Sequence, residues 1–228
     1  MSLIKIMSPS LANMIAAGEV VDRPASVIKE LVENSIDAHA TSIKVEVYDM
    51  GMSKITITDN GIGMDFEDAH LAFERHATSK ISHANDLSHI GTLGFRGEAL
   101  AAIASVSKVT LKTRQKDSEG IYVTYHGGSH VEEGKAALNH GTMIEVTDLF
   151  YNTPARYKYI KSDTAEKSHI MDIFDRLALA NPKIRMQLYI DDKLIKETYG
   201  QGDFYQLIDQ IYGSKMTKDM TVFEETVQ

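Results

Sequence analysis

Glu30, Asn34 and Asp37 are the first polar side chains in this sequence whose spacing suits chemistry. Apolar residues at 27, 28, 31, 32 and 36 predict a helix over residues 25–37, with Pro24 suited to its first turn. At about 100° per residue, Val27, Ile28, Leu31, Val32, Ser35 and Ile36 share one half of that helix. Glu30, Asn34 and Asp37 then fall within roughly 60° of one another along its edge. Asn is a poor mid-helix residue. One turn from a Glu, it suits a hard cation plus a water: the amide oxygen can ligate Mg2+, and the carboxylate can take a proton from an attacking water. A solvated charged stripe is the other reading of the same pattern.

A second group closes a predicted strand. Residues 54–59 alternate as Lys-Ile-Thr-Ile-Thr-Asp and run into Asn60-Gly61-Ile62-Gly63-Met64. A carboxylate at a strand end can accept from an exocyclic amine such as adenine N6, and the glycines permit positive φ and close backbone approach. The same residues also suit an ordinary turn. A third group, Gly91, Gly94 and Gly97, leads into a predicted helix over residues 98–105. Backbone N–H groups at a helix start favour an anion such as phosphate; a flexible connector is the alternative. The chain has no Walker-type phosphate loop, and no strand directly precedes these glycines as a dinucleotide fingerprint requires. Gly141-Thr142 opens another predicted strand and carries no meaning alone.

These residues need a scaffold. Alternation predicts strands over residues 42–48, 54–59, 108–114, 120–125, 142–148, 184–190 and 193–198, with a hairpin turn at 49–53. Helices are predicted over 25–37, 66–75, 98–105, 164–179 and 203–212. That order implies an α+β fold, a two-layer sandwich of a mixed, mostly antiparallel sheet with helices on one face. Residues 76–97 show little periodicity, and a segment so long is either functional or disordered. After residue 200 an amphipathic helix gives way to polar residues, which reads as the start of a second domain.

Composition sets the outer limits. The 228 residues carry 24 Lys and Arg against 32 Asp and Glu, a formal charge of −8, which argues against a generally basic nucleic-acid binder. The absence of Cys excludes disulfides, thiol catalysis and Cys-ligated zinc. No run approaches the ~18 apolar residues of a membrane span, and the first residues lack a signal-peptide core. His126 and His130 have metal-like spacing, but Gly127 and Gly128 between them argue against a helix-borne site. Arg156, Lys158 and Lys161 could touch DNA but read first as a solvated face.

Together and in order, the segments 13–26, 29–38, 59–63, 75–80, 94–100 and 141–156 resemble the N-terminal ATPase region of the MutL family of DNA mismatch repair proteins, over roughly residues 1–200. The Glu-x-x-x-Asn helix, the Asp-x-Gly-x-Gly turn and a glycine-rich lid are shared with gyrase B, the Hsp90 chaperones and histidine kinases. Ala16-Ala17-Gly18-Glu19-Val20-Val21 and Gly94-Phe95-Arg96-Gly97-Glu98-Ala99-Leu100 point to MutL within that group. The resemblance implies a Bergerat-type ATP-binding fold over 1–200, an ATP lid at about 76–97, and the start of an incomplete transducer-like domain at 201–228.

It also implies roles. Glu30 would be the general base, Asn34 the Mg2+ ligand, and Asp59 the acceptor for the adenine amine. Gly63 would give the ring room, and Thr142 would help through water. Thr78, Ser79 and Lys80, with Gly94, Phe95, Arg96, Gly97, Glu98, Ala99 and Leu100, would form the lid around the phosphates of ATP. The expected activity is slow ATP hydrolysis, weak or absent in this span alone, with nucleotide state as the signal. A Lys from the following domain would complete the site. Implied partners are MutS and downstream repair factors, with DNA held mainly by regions outside this chain. A homodimer would form with ATP, aided by residues 1–20, in the cytoplasm and without a membrane. A nucleotide-holding module that does not hydrolyse is the competing reading. A gyrase-like ATPase domain is another, against which Phe95-Arg96 argues.

Overall fold

The structure, a computed structural model, describes residues 7, 14–15, 17–18, 20–75, 77, 97–160, 162–218 and 220–221. Among them eight strands form one sheet: β1 (Ser42–Tyr48), β2 (Lys54–Asp59), β3 (Lys108–Arg114), β4 (Ile121–His126), β5 (Ser129–Lys135), β6 (Gly141–Thr147), β7 (Arg185–Ile190) and β8 (Lys193–Tyr199). Their order is β5-β4-β3-β6-β2-β1-β7-β8. Every neighbouring pair is antiparallel except β1–β7. The helices are α1 (Pro24–Asp37), α2 (Phe66–Leu71), α3 (Ala99–Ser105), α4 (Pro154–Tyr157), α5 (Asp163–Ala180), α6 (Phe204–Tyr212) and α7 (Ser214–Thr217).

Alternation decides which face is covered. Ile43, Val45 and Val47 of β1, Ile55 and Ile57 of β2, Val109 and Leu111 of β3, and Ile144 and Val146 of β6 are buried. The intervening residues keep a polar second face, where Lys44 pairs with Glu46 at 2.7 Å. Among the described residues α1 packs on β1 and β2, and α3 and α5 pack against α1. The expected α+β, mostly antiparallel two-layer fold is what forms.

α1 anchors that layer. Val27, Ile28, Leu31 and Val32 are fully buried, and each such side chain contributes about 1.5–3 kcal/mol. Pro24 fits the first turn, where its missing N–H is no loss. The helix stops where His39 takes a φ of 59°, in the left-handed region.

Two details differ from the sequence reading. β5 is not predicted, because its residues lie almost wholly exposed at the sheet edge and show no apolar alternation. α2 ends at Leu71 rather than 75: the Phe73 and Glu74 N–H groups reach back three residues, to His70 and Leu71, as a tight turn. The β1–β2 connection is the expected hairpin turn at 49–53, and its first residues, Asp49–Gly51, form a 3-10 turn. α6 packs on β8 and α5 and buries Leu207, Ile208 and Ile211. No helix among the described residues is long and apolar enough to cross a membrane.

Candidate functional site

The helix-facing side of the sheet ends in a polar row. β2 presents Ile55, Ile57 and then Asp59 on one face, because side chains two apart share a face. β3 presents Val109, Leu111 and Thr113, and β6, running back, Val146, Ile144 and Thr142. Register sets Asp59 opposite Thr142, and Thr142 opposite Thr113. All three are buried, Asp59 at 9% exposure and Thr113 at 0%. α1 lies over this row and adds Ser35.

Protein donors surround the carboxylate. Ser35 Oγ donates to Asp59 Oδ2 at 2.8 Å, and the Gly61 N–H donates to Oδ1 at 2.8 Å. Burial pushes the Asp59 pKa above its ordinary value of 3.8, against the opposing pull of the Gly61 N–H, the Ser35 hydroxyl and the Thr142 N–H. An ionised carboxylate has about four acceptor positions, so the Ser35 and Gly61 donors leave capacity for another. Thr113 Oγ1 lies 3.1 Å from Thr142 Oγ1 and accepts from the Met64 N–H at 2.8 Å.

The turn after β2 is fixed by crowding. Gly63 has a φ of 69°, and a Cβ there would lie 2.2 Å from the Arg114 carbonyl oxygen. The protein's own backbone therefore demands glycine at this position, whatever else the space admits. Gly141, at φ 125°, would place a Cβ 2.1 Å from the Asp59 carbonyl oxygen. Asn60 accepts from the Thr41 and Ser42 N–H groups, each at 2.9 Å, which pins the turn to the start of β1.

Glu30, Asn34 and Asp37 are half-buried along the edge of α1, as the helical spacing predicts. Asn34 adjoins Ser35, whose hydroxyl is bonded to Asp59, so one helix carries both the polar edge of Glu30, Asn34 and Asp37 and the roof of the polar row. Lys29 Nζ lies 3.1 Å from Glu30 Oε1 and 2.8 Å from Glu33 Oε2. Burial alone would lower the Lys29 pKa; its hydrogen bonds to Glu33 and Glu30 outweigh this and raise it. The amide and carboxylate oxygens on this edge match the donor preference of Mg2+.

Gly97 and Glu98 lead into α3, with Glu98 at the N-cap position, and Ala99 and Leu100 form its first turn, Leu100 buried. Thr78, Ser79, Lys80, Gly94, Phe95 and Arg96 lie outside the described residues. Sequence reading missed Ser35, Thr113 and Lys29. Ser35 falls on the apolar half of the helix, which hides it, and the signal for Thr113 is a polar residue ending an apolar alternation.

The family described as histidine kinase-, DNA gyrase B-, and HSP90-like ATPase matches residues 22–149. The DNA mismatch repair protein MutL of Exiguobacterium sibiricum is 53% identical over 213 residues, 93% of this chain and 35% of the relative. MutL of Anoxybacillus flavithermus is 51% identical over 220 residues, 96% of this chain and 36% of the relative. The chain thus spans about a third of the length of these relatives. Among solved structures, the Aquifex aeolicus MutL ATPase domain complexed with ADP superposes with a TM-score of 0.67 at 28% identity, covering 85% of this chain and 70% of that one. The N-terminal domain of a DNA repair protein gives 0.76 at 28% identity, covering 92% of this chain and 63% of that one. The chain belongs to the histidine kinase-, DNA gyrase B- and HSP90-like ATPase family, and its likeness there is to the ATPase region of MutL.

Proposed function

We propose that this chain is the ATP-dependent switch of a MutL-type mismatch repair protein, binding ATP with Mg2+ and hydrolysing it slowly. The observation that carries this reading is the buried Asp59 carboxylate, held by Ser35 and Gly61 with acceptor capacity to spare. Asp59 accepts the adenine amine, and the hydroxyl of Thr142 beside it is suited to a bridging water. Asn34 supplies an amide oxygen to Mg2+, which when bound neutralises phosphate charge. Glu30 takes the proton of the attacking water through Oε2, the oxygen that Lys29 does not engage. The ADP named with the Aquifex MutL ATPase domain supports a nucleotide here.

The remaining assignments follow the same likeness. Residues 1–200 form the ATP-binding unit, and residues 76–97, with Thr78, Ser79, Lys80 and Gly94 to Leu100, close over the phosphates as a lid. Residues 201–228 open a transducer-like unit, and the completing Lys comes from the part of that unit outside this sequence. ATP drives dimerisation and signals to MutS and downstream factors in the cytoplasm, with DNA held mainly outside this span.

Single-turnover ATP hydrolysis, measured in a protein extended to the length of the MutL relatives, tests the catalytic part. Glu30→Ala is expected to slow hydrolysis by about 100-fold or more while nucleotide still binds. Undiminished hydrolysis in that variant would remove Glu30 as the base.

A further inference from the structure

At the β4–β5 edge of the sheet two imidazoles and a carboxylate converge. His70 comes from the last turn of α2, and His130 and Glu133 come from β5. His70 Nε2 and His130 Nε2 lie 2.9 and 3.1 Å from the same atom, Glu133 Oε2. All three ligand atoms fall within 4.8 Å of one another. A regular strand would not do this, because residues i and i+3 point to opposite faces. Here the β4–β5 register shifts between Thr124 and Tyr125, which pair with Glu132 and His130. Val131 is thus an extra residue, and the resulting bulge turns His130 to the side of Glu133.

Two observations at His70 point to a ligand. Its Nε2 is shut off from solvent and has no hydrogen-bond partner among the described residues, despite the close approach to Glu133. Its Nδ1 lies 3.3 Å from the Tyr125 hydroxyl. Tyr125 is in turn stacked on Phe73, with ring centroids 4.0 Å apart and planes 13° apart. An Nδ1–H donated to that anchored hydroxyl selects the tautomer whose Nε2 lone pair faces the cluster, as the outer partners of metal-bound histidines do.

We propose that His70, His130 and Glu133 bind a divalent transition-metal ion, Zn2+ foremost. Two imidazoles and a carboxylate suit zinc rather than Mg2+ or Ca2+. A tetrahedral zinc site spaces its ligand atoms about 3.3 Å apart, close to the 2.9 and 3.1 Å separations here. His130 and Glu133 are exposed, so the ion enters from solvent and keeps water as its fourth ligand. Bound there, it clips α2 to β5, an edge strand with little apolar burial to hold it. This site is independent of the nucleotide-binding reading.

The test is Co2+ titration of the tag-free chain, followed by its visible absorption, with Zn2+ competition and thermal unfolding. One Co2+ per chain is expected, with the intense bands of a four-coordinate ion, displaced by Zn2+. Zn2+ is expected to raise the unfolding temperature. His130→Ala and Glu133→Gln should each weaken binding by at least about tenfold and abolish the temperature shift, while His126→Ala, exposed on β4, leaves both intact. The variant sites are exposed, so folding is preserved. No saturable binding below about 1 mM, or equal loss in His126→Ala, or none in His130→Ala and Glu133→Gln, would overturn the proposal.

Discussion

Asp59 stands where an apolar residue would complete the inner face of β2. The desolvation of its carboxylate is offset by Ser35, Gly61 and Thr142 but not cancelled, since its pKa stays above 3.8. The native state therefore holds this proton more tightly than the unfolded chain does. Stability from this group is gained as pH falls through the folded pKa and is complete below 3.8. Urea unfolding across pH should show the stability of the parent protein rising relative to Asp59→Asn as pH falls toward 3.8; a gap moving the other way contradicts the assignment. Gly63 tests the turn. A methyl group there meets the Arg114 carbonyl at a positive φ, so Gly63→Ala should lower stability by about 1–3 kcal/mol in the same assay. A neutral result would mean that the turn is not held against β3.

Between elements, α5 and β8 are joined by Lys196 Nζ, 2.5 and 2.6 Å from the two carboxylate oxygens of Asp175. Both side chains are mostly buried, and burial raises the Asp175 pKa despite Lys196. Removing one partner strands the other. Lys196→Met should lower stability by about 2 kcal/mol, and Lys196→Met with Asp175→Leu should recover most of it. Thermal unfolding that leaves the single variant unchanged would contradict this. At the same scale, the strands legible in the sequence are those with one apolar face: Ser42–Tyr48 and Lys108–Arg114 read directly from alternation. The polar row is written there too, as Ile55-x-Ile57-x-Asp59 and Val109-x-Leu111-x-Thr113, although only register reveals that the ends are neighbours. β5 left no trace because an exposed edge needs no apolar pattern. The Ser35–Asp59 bond depends on how α1 crosses β2, and the His70 cluster depends on a bulge; neither is a property of local sequence.

For the whole molecule, one sheet face built from β1, β2, β3 and β6 carries a helix layer, and the polar row of Asp59, Thr142 and Thr113 sits at the end of that shared core. Occupancy should therefore stabilise the entire unit: at a hundredfold excess over Kd, linkage gives about 2.7 kcal/mol. Limited proteolysis with an ATP analogue and Mg2+ tests the lid, with cleavage within residues 76–97 expected to fall and unchanged cleavage at saturation counting against closure. The most direct measurement is isothermal titration of the parent protein and Asp59→Asn with a non-hydrolysable ATP analogue in Mg2+. Saturable binding of one nucleotide per chain is expected for the parent, weakened by about 10–100-fold in the variant, the scale of a hydrogen bond to a charged group. No binding heat from the parent, or equal affinity in both, would contradict the placement of adenine on Asp59.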